Sequence, residues 1–164
     1  MLGHEWAEKL AIQELCARYC HTIDNQDSRG WADCFAVDGA FEFDGWAVRG
    51  RPALIEYAEV HARLMRCRHM TLNCLYDVQG DEATGRATTV VTLATSGGYK
   101  ILGQGHYEDR LVKQGGTWLI AYRKVRNDRL VDDPAKQVNL ADPDVAVLVR
   151  HLIEAAGRLG HKVE

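Results

Sequence analysis

The feature that most constrains this chain is a single change of hydrophobic period. Up to Met65 the apolar residues recur at helical spacing, and from Arg68 onward they alternate. Ahead of the change, Ile12, Leu15, Cys16, Tyr19 and Ile23 follow one another in steps that keep them on one helix face. Leu54, Ile55, Ala58, Ala62 and Met65 do the same in a later helix, which Gly50-Arg51-Pro52 opens; Pro52 stands near the first helical position, where its missing N–H costs nothing. Between them Asn25-Gln26-Asp27-Ser28 is a turn, and Asp27 or Ser28 caps a short second helix expected to run through Trp31, Cys34 and Phe35. Phe41 and Phe43, alternating with Glu42 and Asp44 ahead of Asp44-Gly45, predict a strand that ends in a turn.

Beyond the change, His69, Thr71 and Asn73 fall on one face of a strand, with Met70, Leu72 and Cys74 on the other. Three more strand-like runs, 82–95, 98–113 and 117–127, are separated by Ser96-Gly97-Gly98 and Gln114-Gly115-Gly116. Short glycine turns between long alternating runs predict sequential antiparallel hairpins. Helices first and a meander afterwards is the α+β pattern: three N-terminal helices packed on a strongly curved, mostly antiparallel sheet. Asp132-Asp133-Pro134 breaks the last strand, and Val145, Leu148, Val149, Leu152, Ile153 and Ala156 predict an added C-terminal helix. Residues 1–130 form the expected domain, with 131–164 an extension of the same unit that either lids a pocket or packs on a neighbouring subunit.

A chain of 164 residues, 46% hydrophobic, suffices for one domain with a real core. Its net charge of −3, with both signs interspersed, gives no electrostatic footprint for nucleic acid or an anionic membrane. No apolar run approaches the roughly 18 residues of a membrane span, and the N-terminus has no leader-like apolar stretch, so a cytoplasmic protein is expected. Five cysteines, Cys16, Cys20, Cys34, Cys67 and Cys74, are odd in number and sit in apolar settings, as buried free thiols do. No Cys/His set has zinc-ligand spacing, so neither a metal nor another cofactor is expected. The apolar sheet strands predict self-association as a dimer or trimer, since one face lines the interior and the other needs cover.

Two residues stand out on the first helix. Tyr19 places a phenol in the buried stripe, and Asp24 places a carboxylate where the helix ends; both require partners or a cavity. His69, at the start of the first long strand, is the histidine that could join them.

In their order and spacing, several strings resemble the SnoaL-like branch of the NTF2-like superfamily: Ile12-Gln-Glu-Leu with Arg18-Tyr19 and Asp24, Phe35-Ala-Val-Asp38-Gly-Ala40, Gly50-Arg-Pro-Ala-Leu-Ile55, Arg68-His69, Gly105-His-Tyr107-Glu-Asp109, and Gly116-Thr-Trp118-Leu-Ile120 with Arg123. The resemblance implies a cone-shaped barrel whose helices and sheet enclose a cavity for a small, mostly apolar molecule. Within that superfamily, scytalone dehydratase and the bile-acid dehydratases are similar at Asp24 and His69, and the latter also at Tyr19. This implies a cofactor-independent dehydration in which His69 acts as base and then acid, Asp24 orients it, and Tyr19 donates to the enolate oxygen. Asp44, Asn73, His106, Tyr107 and Arg126 are candidates for substrate binding, Asn73 foremost because it shares a face with His69; Gln104 is a further one. The ketosteroid isomerases offer another template, with Tyr19 as donor, Asp44 as base and Tyr107 able to supply a second phenol. A polyketide-cyclase-like or non-catalytic binding protein is the third. The Asp-Arg-Asp set of epoxide hydrolysis has no match, because run 82–95 offers only Arg86 with Glu82.

Overall fold

The computed structural model describes residues 2–128 and 142–163, with side chains from residue 5 onward. Helix α1 (Leu2–Asp24) buries the predicted stripe, with Ile12, Leu15, Cys16, Tyr19 and Ile23 inside and Gln13, Glu14, Ala17 and Arg18 outside. It stops because Gln26 takes a left-handed conformation, φ 64°, which reverses the chain. Asp27 then caps α2 (Ser28–Ala32) by accepting from the Gly30 N–H at 2.9 Å.

That second helix is shorter than expected. Phe35, assigned to the helix on sequence, instead begins β1 (Phe35–Phe43), which pairs in parallel with β6 (Thr117–Asn127). The physical reason lies at Asp38-Gly39, where β1 slips register between Phe35 and Ala40 and hides a strand inside a pattern without clean alternation. Gly39 is required there: a Cβ would stand 2.6 Å from the Ile120 carbonyl oxygen. Four-residue β2 (Trp46–Arg49) returns antiparallel to β1 and is too short to announce itself by period.

Helix α3 (Arg51–Leu64) carries Pro52 in its first turn, as the sequence predicts. Then β3 (Cys67–Gln79), β4 (Glu82–Thr95), β5 (Gly98–Gln114) and β6 run as antiparallel hairpins. Helix α4 (Pro143–Leu159) is capped by Asp142 and followed by two-residue β7 (His161–Lys162). The seven strands form one sheet in the order β3-β4-β5-β6-β1-β2-β7, mixed because of the β1–β6 pair. The helices pack on this curved sheet, α1 against β3 and β6, and α4 against α3 and β2. The predicted break at Asp132-Asp133-Pro134 and the boundary at 130/131 lie outside the described residues.

All five cysteines are free, four of them buried and Cys74 half-buried. Among the described residues, no helix is long and apolar enough to cross a membrane.

Candidate active site

The end of α1 and the start of β3 are fastened together by one carboxylate. Asp24 accepts from the His69 backbone N–H at 2.9 and 3.2 Å, and its Oδ1 stands 2.7 Å from His69 Nδ1. Arg68 donates to the Asp24 backbone carbonyl at 3.1 Å, so the same two residues of β3 hold both the backbone and the side chain of the helix terminus. A carboxylate only accepts, so Nδ1 carries the proton and Nε2 is left as the basic nitrogen of the ring. Both side chains are mostly withdrawn from water, at 12% exposure for His69 and 6% for Asp24.

His69 borders a cavity of about 170 Å³. Its walls are apolar and aromatic: Trp31, Phe41 and Tyr57 from one side, Val125 from the sheet, and Leu152 and Ile153 from α4. The C-terminal helix therefore supplies part of the cavity wall. Tyr19 and Tyr107 also line it, each 3% exposed, with rings 5.8 Å apart and edge-on. Thr89 donates to the Tyr107 hydroxyl at 3.3 Å. Burial pushes the Tyr19 phenol well above its ordinary range and Tyr107 up to about 12, so both remain protonated donors at neutral pH.

Behind the two phenols lies a charge without solvent. Arg123 is fully buried, and its guanidinium sits 4.3 Å from the Tyr19 ring centre and 4.2 Å from that of Tyr107. Arg123 Nε and Nη2 donate to the two Asp109 oxygens at 2.8 Å each, and Tyr76 donates to Asp109 at 2.6 Å. This buried pair fixes the planes of both tyrosines, because neither ring can turn without displacing the guanidinium.

The other sequence candidates divide. Tyr107 faces the cavity, as do Gln104 and Asp44, the latter at the exposed β1–β2 turn with φ 51°. Asn73, His106 and Arg126 lie outside it. Asn73 adopts φ 49° where β3 slips register between Leu72 and Leu75, which interrupts the alternation that would have kept it on the His69 face. His106 turns outward to Asp128 at 3.3 Å, and Arg126 to Glu108 at 3.0 Å: the two are ladder partners, and the neighbouring pair Tyr107–Val125 takes the inward register.

Two features went unread in the sequence. Asp109 and Arg123 are charged residues in inward strand positions, the one signal that could have marked them. His61 occupies the buried face of α3 with Leu54 and Ala58, a polar residue in an apolar stripe. Its ring also belongs to a group that short spacing could not show: among the described residues, His61, Cys67 and His69 present donor atoms within 4.8 Å of one another, a set brought together by folding.

The geometry agrees with a known family. Residues 4–124 match the model of the SnoaL-like domain. The chain belongs to the SnoaL-like family. A protein of unknown function from Mycobacterium tuberculosis is 62% identical, covering 99% of this chain and 96% of that one, with a TM-score of 0.95. An NTF2-like protein with a cystatin-like fold from Novosphingobium aromaticivorans is 24% identical over 82% of this chain and 88% of its own, with a TM-score of 0.71. A candidate scytalone dehydratase from the same organism is 24% identical over 77% and 87%, with a TM-score of 0.70. Both of these share the fold. Among curated proteins none matches this chain.

Proposed function

We propose that this SnoaL-like protein is a lyase that removes water from a small cyclic β-hydroxy ketone by acid–base chemistry. The observation that carries the reading is the 2.7 Å His69–Asp24 pair at the wall of an aromatic cavity that two protonated phenols also line. His69 Nε2 takes the acidic proton next to the carbonyl, and the electron pair moves onto the carbonyl oxygen, where Tyr19 donates. Asp24 holds the resulting imidazolium in place. As the enolate collapses, the carbon–oxygen bond at the β position breaks and the imidazolium returns its proton to the departing hydroxide, giving a conjugated enone and water.

Size narrows the substrate. A cavity of about 150 Å³ accommodates a benzene-sized guest, so the volume of about 170 Å³ suits one six-membered ring with short substituents. The apolar walls favour a mostly hydrocarbon skeleton.

The test is a panel of one-ring β-hydroxy ketones followed by the absorbance of the conjugated product. His69→Ala lowers kcat/KM on the accepted member by about 10²–10⁴-fold. Asp24→Asn costs less, since the amide keeps the shape and one acceptor but not the charge. Tyr19→Phe lowers kcat more than it changes KM, because a donor to the enolate acts mainly in the transition state. Near-normal turnover by His69→Ala would end the proposal. Asp44 also borders the cavity, so activity lost in Asp44→Ala and kept in His69→Ala would favour an isomerase in which Asp44 is the base.

A further inference from the structure

The cavity contains a polar group that the dehydration scheme leaves unused. His61 is 7% exposed and lines the same cavity as His69, their ring centres 5.8 Å apart. Its Nε2 meets Cys67 Sγ at 3.5 Å, and its Nδ1 has no hydrogen-bond partner among the described residues. Most buried polar atoms of a native protein are paired, and one left unpaired costs a full desolvation, so this one calls for a partner.

The chemistry of the neighbours says which kind. Burial pushes the Cys67 thiol up to about 12, so it stays S–H, and burial lowers His61 to about 3, so the ring stays neutral. A thiol facing a neutral imidazole keeps its proton and donates a hydrogen bond to the better acceptor, Nε2. Cys67 has little else to donate to, since the other nearby ring nitrogen, His69 Nδ1 at 3.9 Å, is already engaged by Asp24. The single proton of the His61 ring then resides on Nδ1, a donor without a partner among the described residues, on a side chain that lines the cavity.

We propose that His61 is the oxygen anchor of this cavity: its Nδ1–H donates to a carbonyl or hydroxyl oxygen of a small cyclic ligand, within one ring's width of the carbon that His69 deprotonates. The ligand class is an oxygenated six-membered ring, not a pure hydrocarbon, and His61 decides which edge of it faces His69. Because His61 sits on α3 and His69 on β3, the two hold the ring from different elements, which fixes its orientation as well as its depth. The assignment rests on the reading of the cavity as a ligand site, but its test measures binding and needs no turnover.

Cyclohexanone and methylenecyclohexane are the probes, nearly identical in shape and differing in one oxygen. Their affinities are measured by NMR titration of protein carrying ¹⁵N-labelled histidine, in the wild type and in His61→Phe. The expected result is a cyclohexanone/methylenecyclohexane affinity ratio that falls about fivefold or more in His61→Phe, with methylenecyclohexane binding nearly unchanged. In the wild type, with no substitution at all, the His61 Nδ1 resonance moves on adding cyclohexanone and not on adding methylenecyclohexane. A ratio preserved in His61→Phe, or an Nδ1 signal indifferent to both probes, overturns the anchor. So does tight uptake of added zinc that shifts the His61 and His69 signals together, which would assign the cluster with Cys67 to a cation. Failure of the dehydratase reading shows only in the turnover of His69→Ala and leaves these ratios where they are.

Discussion

Two histidines face one cavity in opposite electrostatic circumstances. His69 has a carboxylate on Nδ1, whereas the hydrogen-bond contact of His61 is to a thiol. Burial, with His69 nearby adding to it and Asp24 opposing, lowers His61 from 6.5 to about 3. The unfolded chain therefore binds a proton between those values that the folded protein refuses. Stability contributed by the neutral ring is full above about pH 6.5 and declines as pH falls toward 3. His61→Phe lacks this loss, so wild type loses stability relative to the variant on acidification, with a slope approaching about 1.4 kcal/mol per pH unit. Urea denaturation of both proteins across that window measures it, and parallel pH profiles would show that the ring is not held neutral. At this scale the sequence was readable where chain position and residue type coincide, as at Tyr19, Asp24 and His69. The roles of Asp109 and Arg123 were not readable, although both fall in inward strand positions, because their pairing is made only by folding.

Elements repeat the same lesson in their own terms. The long strands and α1, α3 and α4 announced themselves because many residues share one period, whereas β2 and β7 are too short to have one and β1 is masked by its slip near Gly39. Nor does any local pattern reveal that β1 lies parallel to β6, since that pairing joins opposite ends of the fold. The irregularity in β3 has the widest effect. Asn73 at φ 49° lets the strand keep His69 and Thr71 facing α1 and still turn Cys74 back toward the core beyond it. Across the ladder, Gly85 accommodates the shift, since a Cβ there would stand 2.2 Å from the Leu75 carbonyl oxygen. Asparagine tolerates the left-handed region and β-branched residues do not. Asn73→Gly therefore leaves the unfolding free energy within about 0.5 kcal/mol of wild type, while Asn73→Val lowers it by about 1–2 kcal/mol. Equal stability for the two variants would mean that β3 can straighten without cost.

At the scale of the molecule, the strand that carries His69 is also the edge of the sheet. Its outward residues are apolar and wet: Met70 is 41% exposed, Leu72 49% and Leu75 67%, with Ile101 on the same sheet at 61%. An open edge beside an apolar face is a surface that proteins usually cover, and a second copy of this chain is the cover we predict. Sedimentation at micromolar concentration should give a species heavier than the 18.4 kDa chain, and Leu72→Arg should return it to a monomer with unchanged far-ultraviolet dichroism. A wild-type protein that sediments as a monomer removes the prediction. Assembly also bears on chemistry. Asp24 holds His69 through both its ring and its backbone N–H, so any fraying of β3 would loosen the pair from two sides at once. Burying Met70 and Leu72 against a partner would suppress that fraying. The monomeric variant should accordingly lose rate on the accepted hydroxy ketone although residue 72 lies on the face opposite the cavity. Raising the concentration of Leu72→Arg until it reassociates should restore that rate, and unchanged turnover in the monomer would place the stiffness of β3 within the single chain.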